Sequence, residues 1–230
     1  MKLRNLTMTV VGVSFLVLGA ACSSGDNGHP GITTPWLGSL KGFERIRGED
    51  ESGVFRRIAP GKIARFERGI IVPPEITVSA GSDLDAMHPE TYEKIKSLFD
   101  AALRQELAKQ FPVTGASTER SGATHEIHVV LNGVTVTRST STTLAVRLDD
   151  LRFSFAGATI EADFRDVTSN TRAAAIVLPA SAGTVGWNGL GDQLTVFARQ
   201  AAEQDAVAYK AVNDEADKPA APAPETAPQK

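Results

Sequence analysis

The residues able to do chemistry fall in three places. The first is Cys22, the only cysteine among 230 residues, preceded by Leu18-Gly19-Ala20-Ala21 and followed by Ser23. A single thiol behind small residues has no partner for a disulfide, but it fits a lipobox. Small residues let the chain lie extended in a peptidase groove, and the thiol takes a diacylglycerol as a thioether. Cleavage then makes Cys22 the first residue, and its amine can accept a further acyl chain. The second place is His125 and His128, three apart with Glu126 between. On a helix that spacing could bring two imidazoles to one metal, whereas on a strand an odd separation sends them to opposite faces. Only His29 and His88 remain as histidines, so a metal site would need a bulge and outside ligands, and none is expected. The third is Glu161 and Asp163, which share one face of a strand about 6.5–7 Å apart. That spacing suits a glycosidase pair as well as the solvated face of a sheet. Asp149, Asp150 and Asp166 add carboxylates nearby, but carboxylates are the ordinary filling of a polar strand face. No Gly-x-Ser-x-Gly, Cys–His couple or phosphate-cradling loop occurs, and the glycines of WNGLGDQ read as a loop and helix start. The expectation is a non-enzyme with no catalytic residue and no cofactor.

Surface-seeking residues form a smaller set. Arg56 and Arg57 stand beside Phe55, with Arg65 and Arg68 following. This cluster could meet anionic lipid head groups or peptidoglycan carboxylates, or simply be solvated. Trp187, at a helix entry, is expected in the core; Trp36 is the better candidate for a partner surface.

Before Cys22 come Lys2 and Arg4, then the apolar run Met8 to Leu18. As a helix it spans roughly 16 Å against a hydrocarbon core of about 30 Å, and its basic, apolar, small-residue order is that of a secretory signal. The chain carries a net charge of −3; removing residues 1–21 takes the two cations Lys2 and Arg4 and leaves −5. A mildly acidic chain without a basic block argues against nucleic acid as partner. Asp after a lipidated cysteine favours retention at the inner membrane of a diderm cell. Ser23 at that position points to export to the outer membrane.

The remaining pattern divides into a flexible tether over 22–35, one α/β domain over 36–212 and an Ala/Pro-rich tail over 213–230 that buries too little to order itself. Ile70–Val78 is β-branched, and Pro73-Pro74 make it a bulged or edge strand, or two short pieces. His88-Pro89-Glu90 opens a helix carrying Tyr92, Ile95, Phe99, Leu103 and Leu107 at helical spacing, closed by Phe111-Pro112. His125–Val136 alternates as a strand with a bend at Asn132-Gly133. Leu151–Arg165 reads as one long strand kinked at Ala156-Gly157, and Arg172–Leu178 returns as its hairpin partner. Leu190, Leu194, Phe197, Ala201 and Ala208 mark a second amphipathic helix starting at Asn188 or Asp192. The expected architecture is an α+β two-layer sandwich: a mostly antiparallel sheet of about four strands, with both helices on one face.

In that order of motifs the chain resembles the bacterial lipoproteins of domain-of-unknown-function family 3313. Gly38-Ser39-Leu40-Lys41-Gly42-Phe43-Glu44-Arg45-Ile46 is similar to the family's opening Gly-Phe-Leu-x-x-Tyr-x-x-Leu, with Ser39 for Phe and Phe43 for Tyr. Phe55 to Pro60, Lys62 to Phe66 leading into Ile70, Pro89-Glu90, Gly157 to Ala162 and Trp187 fit the steps that follow; His88 stands where a capping Ser is usual. The resemblance runs from about 38 to 212. It implies an envelope lipoprotein without assigned catalytic residues.

Together these readings give the expectation of an outer-membrane lipoprotein facing the periplasm. It would be held by acyl chains on Cys22 and bind an envelope protein or peptidoglycan. A cell-wall hydrolase built on Glu161 and Asp163, or a carrier of an apolar ligand between sheet and helices, are the alternatives.

Overall fold

The computed structural model describes residues 33–39, 42–47, 53–58, 65–83, 88–114, 124–139, 147–180 and 182–218. Cys22 and Ser23 therefore lie outside the described residues.

Its long helices form where the 3.6-residue repeat is strongest. Helix α1 (Pro89–Leu107) starts on a proline whose missing N–H is no loss in the first turn, with Glu90 at the positive end. Ile95, Phe99, Leu103 and Leu107 line its buried stripe. Helix α2 (Trp187–Ala216) buries Leu190, Leu194, Phe197, Ala201 and Ala208. It begins one residue before the earlier of its two expected starts, so Trp187 sits in its first turn. It also runs four residues past the expected domain end at 212. Asn213 explains the extension: its amide donates to the Phe66 carbonyl and its Oδ1 accepts the Phe66 N–H.

The strands are β1 (Thr33–Thr34), β2 (Gly38–Ser39), β3 (Glu44–Arg47), β4 (Gly53–Ile58), β5 (Arg68–Ile71), β6 (Glu75–Val78), β7 (Val113–Thr114), β8 (Thr124–Arg138), β9 (Leu151–Ser154), β10 (Thr159–Asp166), β11 (Arg172–Pro179) and β12 (Thr184–Gly186). Strands β1 and β2 form a separate two-stranded sheet. The other ten pair in the order β12-β9-β8-β10-β11-β4-β3, with β5 and β6 against β8, and β7 against β5. The α+β class holds, but the sheet is far larger than four strands. Most pairs are antiparallel; β5 and β6 run parallel to β8.

Two glycines bend the centre of this sheet. Gly133 and Gly157 both have φ of +79°, a conformation side-chain-bearing residues rarely adopt. They face each other: a Cβ on Gly133 would lie 3.7 Å from the Gly157 carbonyl oxygen. Thus β9 and β10 pair with successive stretches of β8 on either side of the double kink. Leu131 and Val134, on either side of the bulge, both join the core against the helices. Both helices and the residues Ile160, Ala162 and Phe164 of β10 share one apolar cluster, so the helices cover a single face. The proline pair splits Ile70–Val78 into β5 and β6, and the Arg172–Leu178 hairpin forms as expected around Asn170 at φ 53°.

Candidate functional site

Period-2 geometry assigns each polar side chain to a face. On β10, Ile160, Ala162 and Phe164 point to the helices, so Thr159, Glu161, Asp163 and Arg165 point to the helix-free face. Across β8 the same register places Asn132, Val130, His128 and Glu126 beside them. This face holds the one candidate acid pair, and both carboxyl groups are sealed: Glu161 is 0% and Asp163 1% exposed.

Glu161 is covered by residues 33–39, hereafter the strap. Thr34 Oγ1 donates to Glu161 Oε2 at 2.6 Å and the Leu37 N–H donates to the same oxygen at 2.8 Å. From the sheet side, Asn132 Nδ2 reaches Oε1 at 2.5 Å and Thr159 Oγ1 lies 3.4 Å away. Leu37 and Phe43 press onto Ala175 and Val177 of β11, with Trp36 packed against them, in a small core separate from the main one. Trp36 is thus half-buried as part of the strap, with one side on this small core.

Asp163 is held differently. Arg172 Nε donates to Oδ1 at 2.7 Å, while Arg165 Nε at 2.8 Å and Arg172 Nη2 at 3.2 Å donate to Oδ2. Every oxygen of the two carboxylates accepts a hydrogen bond from the protein, and neither reaches solvent. A general acid or nucleophile must touch its substrate; in this arrangement no substrate atom can approach either group.

The other expected site residues are spread apart. Arg56 and Arg57 are neighbours on β4, so their side chains leave on opposite faces. Arg56 pairs with Glu44 at 3.7 Å, while Arg57 is exposed and stands level with Ala175 on the helix-free face. The pair therefore makes no joint basic patch. His128 Nε2 lies 3.2 Å from Glu126 on the helix-free face, and His125 faces the helices, so the two imidazoles diverge as strand geometry requires. Among the described residues no three His, Cys, Asp or Glu side chains converge as metal ligands. Trp187 packs on Phe153 at 6.2 Å and carries Lys94 over its ring at 5.2 Å.

The helix side holds polar groups of another kind. His125 is buried and stacks on Phe66 at 4.7 Å, with no hydrogen-bond partner on either ring nitrogen among the described residues. Burial lowers its pKa, and the nearby Asp166 partly opposes that. Asp205 is fully buried on α2 and neither of its oxygens has a partner among the described residues; burial alone raises its pKa well above the ordinary carboxylate value. The signal for Asp205 was present in the sequence, since it falls inside the stripe running from Ala198, Ala201 and Ala202 to Ala208 and Val212. An apolar pocket also opens between sheet and helices, among Ile76, Tyr92, Ile95, Val136, Phe153 and Leu190. The space it encloses is only about 10 Å³, room for about one water and far below the ~300–1,000 Å³ of small-molecule sites.

No protein-family model and no curated protein matches this chain. Among solved structures, it is similar to the PelC dodecamer of Paraburkholderia phytofirmans (13% identity, TM-score 0.35, covering 64% of this chain and 93% of that one). It is also similar to a putative neuraminyllactose-binding hemagglutinin homolog from Helicobacter pylori (8% identity, TM-score 0.41, 68% and 94%). A family 330 domain-of-unknown-function protein from Xanthomonas campestris gives 8% identity and a TM-score of 0.34 over 69% and 95%. Likeness of this degree assigns neither a family nor a function. No helix among the described residues is long and apolar enough to cross a membrane.

Proposed function

We propose that this chain is an envelope lipoprotein, akin to family 3313, whose periplasmic α+β domain binds another envelope component without catalysing a reaction. It is held at the outer membrane by acyl chains on Cys22. The observation that carries this reading is the use made of Glu161 and Asp163. The one pair placed for acid/base work is sealed from substrate, and Glu161 fastens to the sheet the very segment that leads back to the lipobox. Polar chemistry that an enzyme would present to a substrate is here spent on joining tether to domain.

Two measurements test it. Intact-mass analysis of the membrane fraction should find residues 1–21 removed and the chain heavier by two or three acyl groups. A native chain that is unacylated, or that retains residues 1–21, overturns the anchor. Cross-linking in whole envelopes should recover one reproducible protein or peptidoglycan adduct on the domain; turnover of a labelled wall substrate, lost when Glu161 and Asp163 are both replaced by Ala, would install the hydrolase reading instead. The apolar-ligand carrier has less behind it, because the pocket between sheet and helices encloses room for about one water; native mass spectrometry of the purified protein should show no bound lipid.

A further inference from the structure

We propose that Glu161 is a latch setting how far the domain stands from its membrane, with the strap (residues 33–39, together with Phe43) as the part that engages and releases. The inference rests on the lipid-anchor reading for its consequence, but not for the latch itself.

The latch is built on the sheet and needs no strap to hold its shape. Thr77 Oγ1 donates to Asn132 Oδ1 at 2.7 Å, and Asn132 Nδ2 donates to Glu161 Oε1. The carboxylate is therefore aimed from behind, leaving Oε2 for Thr34 and the Leu37 N–H. These two donors are themselves joined, the Leu37 N–H also reaching Thr34 Oγ1 at 3.1 Å. A preorganised acceptor and a compact pair of donors can part and meet again without rearranging the sheet.

The strap is also energetically separable. Among the described residues β1 and β2 pair only with each other as their own sheet, so the strap shares no strand ladder with the main sheet there. Its apolar anchors Leu37 and Phe43 belong to a small cluster distinct from the core between sheet and helices. Segments held by few apolar contacts and side-chain hydrogen bonds open at a fraction of the global unfolding cost.

Release changes the reach. With the strap latched, residues 23–32 separate Cys22 from Thr33 and extend at most about 40 Å. With it free, the first residue held by the main sheet is Glu44, and the twenty-two steps from Cys22 to it span at most about 80 Å. One carboxylate thereby decides whether the domain works close to its own membrane or across most of a cell-envelope gap.

The test uses the full lipidated chain. Amide exchange at Leu37 reads the latch: Glu161→Ala should lower Leu37 protection about tenfold or more, while Ala162 and Ile176 stay protected. Thr34→Val, which alters only the strap, should act in the same direction and guards against an unfolded Glu161 variant. For reach, a dye on Val207→Cys and acceptor lipid in phosphatidylethanolamine vesicles should show energy transfer falling in both variants. Unchanged Leu37 exchange, or equal loss of protection across the sheet, overturns the latch. Loss of Leu37 protection with unaltered transfer overturns the reach. Should Cys22 prove unacylated, the exchange result still stands and only the anchor reading falls.

Discussion

The two faces of the central sheet treat buried polarity in opposite ways. On the helix-free face, Glu161 and Asp163 are sealed, yet every carboxylate oxygen accepts a bond from a strap, strand or hairpin residue. On the helix face, His125 and Asp205 are equally sealed and have none. A satisfied buried carboxylate ties distant pieces of chain together, whereas an orphaned one only pays the desolvation cost. The helix-free face therefore uses its acids as fasteners, and the helix face carries polar groups its packing would be better without.

The contrast breaks most visibly if the fasteners on Asp163 are removed. Arg165→Leu with Arg172→Leu keeps apolar stems but strips a carboxylate of 1% exposure of the arginine donors that hold it. Urea unfolding should show a loss of about 3–5 kcal/mol, the usual result of stranding one partner of a buried pair. A loss below about 1 kcal/mol would mean Asp163 is not held as described.

The opposite sign is expected on the other face. Asp205→Ala removes an unpartnered carboxyl and puts a better helix former in the middle of α2, so stability at pH 7 should rise by about 1–3 kcal/mol. A drop in the urea midpoint would show that Asp205 has a partner after all, and would erase the difference between the faces.

These contrasts also mark what the sequence can convey. Helix α1 was legible because five apolar residues recur at 3.6 spacing, and the β10–β11 hairpin because polar turn residues separate two patterned runs. The sheet was underestimated because β7 is two residues long and β12 three; no periodicity can be read over such lengths. β4 hid for another reason: GVFRRI reads as a basic cluster until strand geometry sends Arg56 and Arg57 apart. Glu161 looked like a solvated strand residue because what buries it lies 127 positions away at Thr34. What Trp36 packs on was hidden for the same reason, since the surface it covers belongs to β11. Asp205 was the opposite case, a carboxylate in an apolar stripe, visible but unremarked.

The pH dependence of stability separates the two orphans. Asp205 has a folded pKa raised well above 3.8, so above that value the fold keeps a proton the unfolded chain has lost. Its contribution is fully present in acid and falls as pH rises. His125 has a folded pKa lowered from 6.5, so below that value the unfolded chain binds a proton the fold refuses. Its contribution is fully present above pH 6.5 and falls as pH drops through it. The stability gap between Asp205→Ala and the natural chain should widen with rising pH. His125→Leu should instead flatten the acid side of the curve between pH 6.5 and 5. Parallel curves for either variant would show that the group titrates alike in both states.

The smallest effect tests whether the helix-free face owes its stability to burial or merely to charge. His128 and Glu126 form a pair there at 3.2 Å, but the two side chains are 30% and 22% exposed. Water reaches both, so neither is stranded when the other goes. His128→Ala should then change stability by no more than about 0.5 kcal/mol, as is usual for solvent-screened pairs. Glu126 sits in the same row of the sheet as Arg165. A change as large as that of the arginine pair would mean the whole row acts as one network, with Asp163 drawing its hold from β8 as well as from the hairpin. A change within about 0.5 kcal/mol leaves sealed carboxylates, not charges in general, as what binds this face together.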